Sequence, residues 1–75
     1  MKIFGYQKSG EPLQEMEEIS IKCDLKDLDE VIDFLISVRS LMKDHGLNFG
    51  HEHLSDWRKK NGAAICGDVD IIISR

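Results

Sequence analysis

The sequence predicts an α+β domain: a small antiparallel sheet, in the order ββαββ or ββαβ, packed against one long central helix. Three observations carry that prediction. Ile19-Ser20-Ile21-Lys22-Cys23 alternates apolar and polar residues with the period of a strand. Residues 25–45 then place Leu, Val, Ile, Phe and Met at helical spacing, between an acid suited to capping (Asp24) and a glycine (Gly46). Near the end of the chain, Val69, Ile71 and Ile73 fall on one strand face and Asp70, Ile72 and Ser74 on the other.

Taken in order, residues 2–7 (Lys-Ile-Phe-Gly-Tyr-Gln) read as a first strand. Turn chemistry follows at Lys8-Ser9-Gly10-Glu11-Pro12, and residues 14–23 read as a second strand that closes a hairpin. The helix begins with Asp24 as N-cap and Asp27 in the reciprocal position of a capping box. It runs to about His45, where Gly46 supplies the left-handed residue that ends it. Early acids and a late Lys43 both suit its macrodipole. More than twenty residues separate Gly46 from Asp68, too many for a structureless connection. Residues 49–54 are therefore expected to add a strand and residues 55–60 a helical turn capped by Ser55. Asn61-Gly62 marks a turn, and residues 68–74 form the last strand.

A chain of 75 residues is expected to form a single domain with a thin core. About 60% of its surface is buried on folding, for a stability of roughly 4–11 kcal/mol. Against that, the helix is unusually apolar. From Leu28 to Met42 its hydrophobic residues spread over roughly 220° of the circumference, twice what one sheet hides. Either the chain after residue 46 folds over the excess, or a second copy does. Arg39 falls within the apolar stripe, either at its margin with the stem on apolar neighbours or in a buried ion pair.

Charge and composition narrow the function. The net charge is −4. Between residues 11 and 33 stand nine acids (Glu11, Glu15, Glu17, Glu18, Asp24, Asp27, Asp29, Glu30, Asp33) against Lys22 and Lys26, a local charge of −7. Only Arg58-Lys59-Lys60 is basic, too little to displace counterions, so nucleic-acid binding is not expected. Apolar runs such as Ile71-Ile72-Ile73 are far below the ~20 residues of a membrane span, and no signal-type stretch is visible. Two cysteines, Cys23 and Cys66, are too few for a disulfide scaffold and fit a reducing cytoplasm.

His51-Glu52-His53 places two imidazoles on one strand face, as two metal ligands require. Zinc needs a third ligand, and His45, Cys66, Cys23 and Asp56 stand at no spacing that specifies it. The same histidines also serve as ordinary polar residues of a loop or an interface. Cys66 lies in Ala63-Ala64-Ile65-Cys66-Gly67, a setting for a small buried hydrophobe rather than a nucleophile. Phosphate loops, paired catalytic carboxylates and Ser/His/Asp spacings are missing, and no motif calls for a cofactor. Trp57, beside Arg58, is either an interface anchor or a plug over the open side of the helix. Glu15, Glu17 and Glu18 form either a solvated hairpin face or a patch that steers a basic partner.

The opening Met1-Lys2-Ile3-Phe4-Gly5-Tyr6, the helix ending in Lys43-Asp44-His45-Gly46, the stretch Phe49-Gly50-His51-Glu52-His53-Leu54 and the closing Asp70-Ile71-Ile72-Ile73 resemble short bacterial proteins of the immunity protein 32 type. That resemblance implies a cytoplasmic protein that binds and blocks a toxin, with His51, His53 and Trp57 at the positions carried over. The expectation is thus a non-enzymatic protein-binding module, a homodimer when alone, touching its partner through His51, His53, Trp57, Arg39, Glu15, Glu17 and Glu18. The alternatives are a small metal-binding protein using His51 and His53, or a structural subunit of a complex.

Overall fold

The protein is described by a computed structural model over residues 1–8, 10, 12–62 and 69–75. Two short strands, β1 (Ile3–Gly5) and β2 (Gln14–Met16), pair antiparallel with Phe4 opposite Glu15. Helix α1 (Leu25–His45) follows, then a 3-10 turn (Gly46–Asn48), β3 (His51–His53), α2 (Leu54–Lys60) and β4 (Ile72–Ser74). Strands β3 and β4 pair antiparallel with Glu52 opposite Ile73. The class is α+β, as the pattern predicts. The strands, however, form two separate two-stranded sheets rather than one, and a second helix enters between β3 and β4.

Helix α1 starts where the sequence places it. The extended Asp24 turns its carboxylate onto the backbone N–H of Asp27 at 2.8 Å, satisfying one of the donors the first turn leaves free. At the other end Gly46 adopts φ 55°, ψ −125°, which side-chain-bearing residues rarely reach, and its N–H returns to the Met42 carbonyl. The first turn of the hairpin loop is closed by Gly10 N–H on the Gln7 carbonyl at 3.0 Å, while Ser9 and Glu11 of the predicted turn lie outside the described residues. The Asn61-Gly62 turn is present, with Asn61 Nδ2 donating to the Trp57 carbonyl at 2.8 Å.

Five elements differ in their boundaries from expectation, among them the strand expected over residues 49–54, which spans only His51–His53. The first strand keeps only residues 3–5 of 2–7, and the second only residues 14–16 of 14–23. Ile19 and Ile21 alternate as a strand would but join no ladder and remain about half exposed. Alternation specifies a face; a ladder also needs a neighbouring strand, and among the described residues none pairs with 19–23. The second helix begins at Leu54, so Ser55 sits inside its first turn instead of capping it. The last strand is confined to residues 72–74, and the predicted start at Asp68 lies outside the described residues.

The core is correspondingly small. Phe34, Val38, Phe49 and Leu54 are buried, and Val31, Leu41, Met42, Trp57, Ile71 and Ile73 close around them. Chain after residue 46 therefore covers one side of α1. The adjoining side stays open: Leu28, Ile32, Leu35 and Ile36 keep 43–49% of their surface in solvent. Hairpin β1–β2 is held chiefly by its own pairing, and it does not close over that flank.

Candidate functional site

The pairing of β3 with β4 decides what the His segment can do. His51 and His53 share a face, as period-two alternation requires, and their rings meet edge to face with centroids 5.2 Å apart. Across the ladder their partners are Ser74 and Ile72. The intervening Glu52 is opposite Ile73, which packs on the core.

Asp70, just before β4, ties this sheet to α2. Its Oδ2 accepts from His53 Nδ1 at 2.8 Å and from the Ser55 hydroxyl at 3.0 Å. Its Oδ1 accepts from the backbone N–H groups of Ser55 and Ile71, each at 2.9 Å. The Leu54 N–H goes to the Ile71 carbonyl at 2.8 Å, so the first two donors of α2 are satisfied by the segment leading into β4. Partial burial pushes the Asp70 carboxyl up. The His53 and Ser55 side chains and the two N–H donors outweigh that effect, holding it below the ordinary carboxylate value.

Asp70 is thus brought to His53 and Ser55, although it is distant from both in sequence. The Ser55 hydroxyl is bonded to the carboxylate and not to the imidazole, so no nucleophile–base contact is made. The arrangement caps a helix. It also fixes the His53 ring through Nδ1, the way a carboxylate orients a metal-ligating histidine. Among the described residues, however, no third His, Cys, Asp or Glu joins His51 and His53 in a metal-binding group. Cys23 is an exposed free thiol, and Cys66 lies outside the described residues.

The other candidate residues are scattered over three surfaces. Trp57 packs edge-on against Phe34, with centroids 6.2 Å apart, and so closes the open side of the helix from α2. Its neighbour Arg58 donates from Nε to Glu30 Oε2 at 2.9 Å, a partly buried ion pair that pins α2 to α1. Arg39 is exposed and makes no ion pair among the described residues. Glu15 lies on β2 and Glu17 and Glu18 directly follow it, all exposed. A shallow groove of about 210 Å³ runs between Ile21–Cys23 and the core side, with Val31, Leu54, Arg58 and Ile71 on its walls.

Two residues that matter here, Asp70 and Glu30, were not singled out by their sequence pattern. The signal that could have found Asp70 is an acid set directly between the apolar Val69 and Ile71. Among the described residues no helix is long and apolar enough to cross a membrane. No family model, curated protein or solved structure matches the chain.

Proposed function

We propose that this chain is a non-enzymatic protein-binding module that blocks a basic partner, in the manner of a cytoplasmic immunity protein holding a bacterial toxin, and that it is a homodimer when alone. One observation carries the reading. Along the N-terminal hairpin and the segment leading to α1, Phe4, Tyr6, Leu13, Ile19 and Ile21 are half exposed or more, interleaved with the exposed acids Glu15, Glu17 and Glu18. Small folded proteins seldom leave so much apolar surface bare unless it is used. Aromatic and aliphatic side chains provide a contact centre that gains by desolvation, and the acids provide a rim that draws in a positively charged partner. The resemblance to immunity proteins points the same way.

The partner to test is the product of the neighbouring reading frame, purified as an inactive variant where it is a toxin. Binding should be tight and salt-dependent. A triple variant, Glu15→Gln/Glu17→Gln/Glu18→Gln, should slow association by about tenfold at low salt and flatten its ionic-strength dependence. No binding at micromolar concentration, or a triple variant that associates as fast as the parent protein, refutes the proposal.

A further inference from the structure

The flank of α1 that the chain leaves open has a regular spacing. Leu25, Leu28, Ile32, Leu35, Arg39 and Met42 follow one another at intervals of three, four, three, four and three residues. That is the seam of two helices packed side by side, with one position occupied by a charged residue. Leu28, Ile32 and Leu35 are 43–45% exposed, Leu25 73%, and Met42 is partly buried at the edge of the core. Ile36, 49% exposed, widens the same flank.

The occupant is indicated by charge. Along α1 the first half carries Asp27, Asp29, Glu30 and Asp33 against Lys26, a local charge of −3, and the second half Arg39 and Lys43 against Asp44, a local charge of +1. A parallel copy would set Arg39 against Arg39 inside the seam. An antiparallel copy sets the basic half of each helix over the acidic half of the other and also opposes the macrodipoles favourably.

From this complementarity we infer that a second copy of the chain covers the flank through an antiparallel α1–α1 contact. In the register set by the seam, Leu35 of each copy packs on Ile32 of the other at the centre. Arg39 lies over Leu28 of the second copy, within reach of Asp29, one position beyond it on the same flank. Arg39, exposed and without an ion pair among the described residues, thereby gains a carboxylate, and the seam gains an ion pair at each end that fixes its direction. The inference rests on the homodimer proposed above and names its face.

The test is light scattering of the full chain across micromolar concentrations, with circular dichroism to verify folding. The parent protein should be a dimer. Ile32→Glu, at a site exposed in the single copy, should keep the fold and weaken the dimer at least about 100-fold, because it buries an unpaired charge at the seam centre. Arg39→Glu and Asp29→Arg should each weaken it, and the double variant Arg39→Glu/Asp29→Arg should recover to within about tenfold of the parent. A monomeric parent overturns both this inference and the homodimer. A parent dimer that survives Ile32→Glu overturns the face alone, and a double variant no tighter than the singles overturns the antiparallel direction. Toxin capture by the monomeric Ile32→Glu variant separates this face from the one proposed to bind the partner.

Discussion

Replacing Asp70 with alanine removes four acceptor contacts at once, and the structure sets the size of the effect. Loss of the carboxylate that serves the first turn of α2 should cost about 1 kcal/mol, the usual value for an N-cap. The contacts to His53 and the Ser55 hydroxyl are about one-third exposed, so water replaces much of what they contribute, and they add about 0.5 kcal/mol. The sum of about 1.5 kcal/mol corresponds to a fall in Tm of about 6–12 °C for a chain of this length. Ser55→Ala, which deletes one of the four contacts, should cost a third as much or less. Urea denaturation followed by far-UV circular dichroism measures both. The pH dependence has a definite sign. Asp70 is more acidic folded than unfolded, so its contribution is complete above the ordinary carboxylate value and disappears as the pH falls through its folded value. Asp70→Asn should therefore be less stable than the parent at neutral pH and converge with it on acidification toward pH ~3. If Asp70→Ala costs no more than Ser55→Ala, or if the gap to Asp70→Asn widens in acid, the carboxylate is not what holds α2 to the sheet.

Two further perturbations probe the core and the end of α1. Phe34 is completely buried, so Phe34→Ala should cost about 3–5 kcal/mol, enough to unfold much of the population. The Trp57 emission, which reports packing against that ring, should shift to the red; an unchanged spectrum and midpoint would contradict the packing. Gly46→Ala meets no atom within 4 Å, so its cost is backbone strain alone, about 1–3 kcal/mol by urea titration. A cost under about 0.3 kcal/mol would mean that the turn relaxes to another conformation.

The long helix was legible because everything that starts and stops it is local: Asp24 reaches an N–H three residues away, and Gly46 is the residue after the last turn. The second helix is present where residues 55–60 predict it, but its cap was misread, for the opposite reason. A serine at its start invites the role of cap, but the cap comes from Asp70, fifteen residues further along the chain. Period-two spacing correctly put His51 and His53 on one face, since a strand fixes that without reference to its neighbours. It could not reveal that a carboxylate from the facing segment orients one of them. Ile19 and Ile21 show the same limit: their alternation is real, but no strand among the described residues pairs with them to make a ladder. The breadth of the helix's apolar arc was read correctly. How it divides between the buried Phe34–Val38 side and the open Leu28–Ile36 side depends on where the later chain crosses it.

Splitting four short strands into two pairs has a consequence for behaviour at high concentration. A lone pair of strands has two outer borders, each offering unsatisfied amide and carbonyl groups to any extended peptide that drifts alongside. Each strand here spans only three residues, so an added segment would gain few bonds. On β2, Glu15 and the following Glu17 and Glu18 place like charges where a second hairpin would have to dock. The acids thus have a protective use as well: they discourage indiscriminate strand stacking while leaving the border available to a visitor that brings positive charge of its own.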